Sequence, residues 1–154
     1  MRLPLRCFAA LLALVCAGTA VAAAPNPRRL EAAALAAPVP AGRWVLIVVD
    51  ANRRGSEAYL AALRRDGYDG RGALVAVVGN AAAAEALQQR RHLLPQAQWT
   101  VVDAALLQRQ LGLAGVPAAL GMDAQQRAAW QVSGQPPRSG SLVLRIADWL
   151  AAAP

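Results

Sequence analysis

Residues 44–49 and 73–78 read Trp-Val-Leu-Ile-Val-Val and Ala-Leu-Val-Ala-Val-Val, two apolar runs without a single polar interruption. A strand with one wet face alternates apolar and polar residues. A continuous run rich in β-branched side chains suits a strand covered on both faces. Two such strands in succession, with a helix-length stretch between them, call for a right-handed crossover and parallel pairing.

The intervening residues supply that crossover. Asp50-Ala51-Asn52-Arg53-Arg54-Gly55 breaks the first run. Ser56 is placed to cap a helix beginning at Glu57, where a negative charge suits the helix dipole. Tyr59, Leu60 and Leu63 form its apolar stripe, and Gly67, Gly70 and Gly72 end it. Asn80 caps a second expected helix over residues 81–94, stopped by Pro95. Residues 99–102, Trp-Thr-Val-Val, read as a short third strand. Asp103 caps a third helix through Leu111, and Gly112 closes it. Residues 118–122 and 128–132 flank Asp-Ala-Gln-Gln-Arg and read as a hairpin. Ser141 opens a last helix, with Leu142, Ile146, Trp149 and Leu150 on one face. The order β-α-β-α-β-α-β-β-α makes an α/β fold, a mixed sheet with helices on both faces.

Composition decides what fills such a fold. Of 154 residues, 56% are hydrophobic, but 38 are alanine, so Leu, Val, Ile and Trp must build the core. Trp44, Trp99, Trp130 and Trp149 fall at core-compatible positions and read as packing residues. The length suits one domain. Two cysteines exclude a disulfide-rich scaffold. The composition also excludes a collagen-like repeat, an acidic disordered chain and a multi-span membrane protein.

The first residues form a separate unit. Arg2 and Arg6 precede a short apolar run over residues 7–21, and small residues follow at Ala20, Ala22 and Ala24. This is the pattern of a secretory signal peptide, here residues 1–22, with cleavage after Ala22. An uncleaved N-terminal membrane anchor is the alternative, although the run is short for a span of about 20 residues. Val15 before Cys16 is too bulky for a lipidation site. Residues 23–42, with Pro25, Pro27, Pro38 and Pro40, read as an Ala/Pro-rich linker, with a helical turn or two around residues 28–36. The domain is expected over residues 43–152.

Cleavage would remove Cys7 and Cys16, the only cysteines. The mature chain would hold no thiol to exchange, oxidise or use as a nucleophile. One histidine, His92, leaves little for zinc, copper or haem. It stands beside Arg90 and Arg91 and reads as a solvated residue near a helix end. No Walker or Rossmann glycine pattern occurs. The basic set is all arginine, 16 against nine acids for a net charge of +7, or 14 and +5 without Arg2 and Arg6. The pairs Arg53-Arg54, Arg64-Arg65 and Arg90-Arg91 lack interleaved aromatics, which argues against nucleic acid.

Leu111-Gly112-Leu113-Ala114-Gly115-Val116-Pro117-Ala118, after a strand and helix and before a hairpin, resembles the turn of the thioredoxin-like superfamily. Trp99-Thr100-Val101-Val102-Asp103 is similar to its exported branch, which includes peroxiredoxin-like and cytochrome-maturation thioredoxins. Trp130-Gln131-Val132-Ser133-Gly134 matches the second hairpin strand and its glycine. The resemblance implies a three-layer sandwich over residues 43–152 with a cis proline at Pro117. It also implies a departure: where redox members carry Cys-x-x-Cys, Arg54 and Glu57 stand at the cysteine positions. Ala118 replaces the threonine that often follows the proline.

The resemblance further implies a groove in which the backbone of Val116 stays free to pair with an extended peptide. The site residues expected on this basis are Arg53, Arg54, Gly55, Ser56, Glu57, Val116 and Pro117. The expected function is that of an exported, redox-inactive, non-enzymatic protein, without cofactor or metal. It would bind a periplasmic or envelope protein or peptide as an accessory to a process such as conjugative transfer or secretion. Two alternatives stand beside it. One is a glutathione-transferase-like enzyme using Ser56 and Pro117. The other is a structural envelope protein whose arginines meet anionic lipid or a polyanion at the membrane periphery.

Overall fold

The structure, a computed structural model, describes residues 28–134 and 139–152. The expected signal peptide and the first five residues of the expected linker lie outside the described residues. Five strands and four helices follow in order: β1 (Trp44–Asp50), α1 (Gly55–Arg65), β2 (Ala73–Val78), α2 (Ala81–Gln88), β3 (Gln98–Val101), α3 (Ala104–Leu111), β4 (Ala118–Met122), β5 (Ala128–Ser133) and α4 (Ser139–Ala151). They form the expected α/β fold. The sheet order is β3-β2-β1-β4-β5. β1 runs parallel to β2, and β2 to β3; β4 runs antiparallel to both β1 and β5. Ile47 sits at the centre of the sheet, opposite Val75 on one side and Ala119 on the other.

The chirality of the crossovers places the helices. β1-α1-β2 and β2-α2-β3 advance across the sheet in the same direction, so α1 and α2 fall on one face. α4 joins them. There Val45, Ile47 and Val49 meet Tyr59, Leu60 and Leu63 of α1, Ala84 and Leu87 of α2, and Leu142 and Ile146 of α4. The connection from β3 back to β4 carries α3 over the opposite face. There Trp44, Leu46 and Val48 meet Leu107 and Leu111.

One short helix cannot cover that second face. Five strands spaced about 4.8 Å apart are roughly 20 Å wide, and a helix is about 10 Å across. The remaining cover comes from residues 28–39. Leu30 has no solvent exposure and Leu35 has 5%. Both pack into the cluster of Trp44, Leu107, Leu111 and Met122, with Ala37 and Val39 against it. The segment is also hydrogen-bonded in place. Leu30 N–H donates to Gln126 O at 2.9 Å, and Ala128 N–H donates to Arg28 O at 3.0 Å. Glu31 N–H donates to Gln110 Oε1 at 3.1 Å. From residue 28 onward the expected linker is therefore a strap that belongs to the domain. The expected helical stretch shrinks to one 3₁₀ turn, Ala32–Ala34. Two isolated leucines in Ala/Pro-rich sequence carry no periodic signal, and their burial depends wholly on tertiary partners.

Other boundaries shift for local reasons. α2 ends at Gln88, and Arg91–Leu93 form a 3₁₀ turn. Leu94 leaves the helical region at φ −133°, as residues before proline tend to, and is fully buried. α3 keeps its expected ends: Asp103 accepts from Ala105 N–H, and Gly112 adopts the left-handed conformation at φ 55°. The Arg28 guanidinium donates to Leu111 O at 2.8 Å and to Gly112 O at 2.7 Å. It occupies the space that a Cβ on residue 112 would need.

The tryptophans pack as expected. Trp44 is fully buried and Trp99 nearly so. Trp130 and Trp149 meet edge to face at 6.4 Å. Arg43 covers Trp149 at 4.6 Å, and Arg145 covers Trp130 at 4.8 Å. The Trp130 indole lies against Gly121, where any side chain would collide with it. No helix among the described residues is long and apolar enough to cross a membrane.

The strap makes a direct prediction. Leu30→Ala should lower unfolding free energy by about 2–5 kcal/mol, the usual cost of emptying a core leucine site. Leu144→Ala, at a position 67% exposed on α4, should stay within about 0.5 kcal/mol of the parent. Urea unfolding followed by tryptophan fluorescence measures both.

Candidate functional site

β1 delivers its last residue, Asp50, to the end of the sheet where the chain turns into α1. The Asp50 side chain accepts from Asn52 N–H at 2.9 Å, and its backbone carbonyl accepts from Arg53 N–H at 3.0 Å. The helix then starts earlier than the sequence suggested. Arg54 already has helical geometry at φ −55° and ψ −28°, so α1 begins at Gly55. Ser56 consequently is not the cap. It lies inside the first turn, 2% exposed, and its hydroxyl donates to the carbonyl of Asp50. The hydroxyl ties the helix start to the strand end. No side chain caps α1.

A second tether joins this turn to the one after β2. Ala51 N–H donates to Val78 O at 2.7 Å. Asn80 Nδ2 donates to Asn52 Oδ1 at 3.1 Å, while Asn80 Oδ1 caps α2 through Ala83 N–H at 2.9 Å. The ends of β1 and β2 thus carry one bonded platform, at the carboxyl edge of the parallel strands and next to the point where the sheet order reverses. Open α/β sheets place their ligand crevices there.

Val116–Pro117 closes the platform's other side, and the bond between them is cis. Gly134 N–H donates to Pro117 O at 2.7 Å, fixing the turn to the end of β5. Arg53 spans the gap. Its Nε lies 3.3 Å from Asp50 Oδ2, and its Nη1 donates to Val116 O at 3.4 Å. The expectation of a free Val116 carbonyl is corrected here: the guanidinium of Arg53 covers it. The bond is long and the Arg53 side chain is 64% exposed, so water competes readily for both ends.

Arg53 stands between two clefts of about 300 Å³ each. The first is walled by Val48, Val78, Leu107, Leu113 and Val116, with Asp50 and Gln108 as its other polar groups. The second lies between α1 and α2, walled by Ala83, Ala86 and Leu87, with Arg54, Glu57 and Arg90 around it. Glu57 pairs with Arg90 at 3.4 Å across that cleft. Of the expected site residues, Arg53 and Val116 come together at the first cleft, and Arg53, Arg54, Ser56 and Glu57 at the second. Gly55 and Pro117 line neither.

Asp50, Leu107, Leu113 and Arg90 were not singled out from sequence. Asp50 carried a readable signal, being the first charge after six apolar strand residues. Leu113 and Arg90 carried none, because each depends on where a loop folds. His92 is exposed in the 3₁₀ turn after α2, and no described residue pairs with it.

No family model matches the chain, and no curated protein sequence matches it. Solved structures do. A putative thioredoxin from Neisseria meningitidis superposes with a TM-score of 0.53 at 14% identity, over 75% of this chain and 79% of that one. The chain has the thioredoxin-like fold. A secreted Mycobacterium tuberculosis disulfide oxidoreductase homologous to E. coli DsbE matches at TM-score 0.50 and 14% identity, over 71% and 83% of the two chains. A putative thiol:disulfide interchange protein DsbE from Chlorobium tepidum matches at 0.50 and 18%, over 71% and 81%. In this chain the first turn of α1 reads Gly55-Ser56-Glu57-Ala58, and no cysteine occurs after Cys16.

The tether predicts a split between folding and surface chemistry. Ser56→Ala should cost about 1 kcal/mol of stability, because it orphans part of the Asp50 carbonyl. Arg53→Gln, at an exposed position, should change stability by less than about 0.5 kcal/mol. Thermal unfolding by circular dichroism distinguishes the two.

Proposed function

We propose that this is an exported, redox-inactive thioredoxin-like protein that holds an extended segment of a partner protein in the cleft beside Val116. It would serve as a non-enzymatic accessory in a cell-envelope process, such as conjugative transfer or secretion. The observation that carries this reading is the first cleft itself. It sets Val48, Val78, Leu107, Leu113 and Val116 beside Asp50, Arg53 and Gln108, it opens at the carboxyl end of the central strand, and nothing in it is a thiol. Concave apolar sites with a few convergent polar groups are the usual place for a ligand, and here the polar groups suit backbone recognition rather than covalent chemistry.

Export rests on the leader pattern of residues 1–22. The likeness to a secreted oxidoreductase supports it at the level of the fold. The absence of cysteine after Cys16 supports a binding role over dithiol exchange, since that exchange needs a thiolate. The glutathione-transferase-like alternative loses support from Ser56. Its hydroxyl is buried and committed to the Asp50 carbonyl, which leaves it poorly placed to activate a bound thiol.

Site-specific photo-crosslinking in the cell that makes the protein tests this reading. A benzophenone amino acid in place of Leu113 should give a discrete protein adduct. The same group in place of Leu144, on the far face of α4, should not. Identical adduct patterns at both positions, or none at Leu113, would overturn it.

A further inference from the structure

We propose that the segment bound beside Val116 carries an acidic side chain, and that Arg53, supported by Arg54 and Arg90, selects it. This deepens the peptide-binding reading above and rests on it.

Charge distribution is the first support. The second cleft presents three guanidinium groups, Arg53, Arg54 and Arg90, against one carboxylate, Glu57. Glu57 is engaged by Arg90, and Arg53 by Asp50 on the other side. Arg54 has no acidic partner among the described residues. The rest of the wall is Ala51, Asn52, Ser56, Ala83, Ala86 and Leu87. Asn52 Oδ1 already accepts from Asn80 Nδ2 and the Ser56 hydroxyl donates to Asp50 O, so Glu57 is the cleft's one carboxylate. A carboxylate entering from the first cleft therefore meets an excess of positive charge beside apolar groups. An Arg–carboxylate pair there is planar and bidentate, with geometric selectivity that a lysine would not give.

Arg53 is the second support, because it lines both clefts and covers the Val116 carbonyl. An extended segment that pairs with Val116 needs that carbonyl as an acceptor. A neutral segment must displace the guanidinium and leave it with less than it had. An acidic residue gives the guanidinium a charged acceptor in exchange for a neutral one, and charge-assisted hydrogen bonds are about twice as strong. The same side chain thereby satisfies Arg53 and exposes Val116 O for the backbone of the segment.

The shape and surroundings favour a peptide over other polyanions. Trp44 and Trp99 are buried, and Trp130 and Trp149 lie under Arg145 and Arg43. No aromatic side chain lines either cleft, so a nucleobase finds no stacking platform beside the guanidinium groups. The arginines converge on a concavity between α1 and α2, whereas a lipid headgroup surface is met by an outward-facing basic patch.

Phage-displayed random dodecapeptides panned against the whole mature chain test this, with Arg53→Gln and the Arg54→Gln/Arg90→Gln pair as variants. All three positions are exposed, and circular dichroism checks that the variants fold. Peptides recovered on the parent should be enriched in Asp or Glu next to apolar residues. Replacing the acid of a selected peptide by its amide should weaken binding at least tenfold, as loss of a charged hydrogen bond does. That difference should shrink severalfold in Arg53→Gln and at high salt. Amide shifts of Leu113 and Val116 locate the binding. Equal affinity for the acid and amide peptides, with shifts at those residues, overturns this inference and leaves the peptide-binding reading standing. Recovery of no peptide that shifts Leu113 and Val116 overturns both.

Discussion

The burial of β1 on both faces is the constraint on which the rest of the structure depends. Its first six residues have no exposure to solvent, so the sheet needs cover above and below. Right-handed crossovers put two helices on one face and leave the other to the returning connection. That connection carries only the eight residues of α3. Leu30 and Leu35 complete the cover, and the segment bearing them is therefore not a tether to the domain but one of its layers.

The same segment reaches the site. Arg28 holds the last carbonyls of α3, and the chain leaves α3 at Gly112 to form the wall of residues 113–116. Leu113 and Val116 thus inherit their position from a contact 84 residues away in sequence. The opposite wall is fixed just as firmly, by the Ser56 hydroxyl on Asp50 O and the Asn52–Asn80 bridge. Between these walls stands the exposed Arg53 side chain. Its long bond to Val116 O leaves it movable beside a turn and a strand end that are bonded in place.

The legible parts of this molecule are those encoded locally. Unbroken β-branched runs identify β1 and β2 as doubly covered strands. Asp103 and Gly112 mark both ends of α3. The resemblance to the thioredoxin-like superfamily implied that the Val116–Pro117 turn and the Arg53 loop meet, and they do at Arg53 Nη1 and Val116 O. What stayed illegible depends on tertiary partners. Ser56 looks like a cap until Arg54 is seen to be helical already. Arg90 looks like one of a solvated pair until α2 stops at Gln88 and the chain turns toward Glu57. Leu30 and Leu35 are two large side chains in a small-residue stretch, and only an uncovered sheet face explains them.

Native-state hydrogen exchange tests most directly whether the strap and the sheet form one cooperative unit. The informative amides are Leu30, bonded to Gln126 O, and Ala128, bonded to Arg28 O, compared with Ile47 at the centre of β1. If the strap is a layer of the fold, all three should exchange through the same global opening, with protection within about tenfold of one another. Exchange at Leu30 and Ala128 faster by several orders of magnitude, with Ile47 still protected, would show a strap that detaches on its own and would contradict the account.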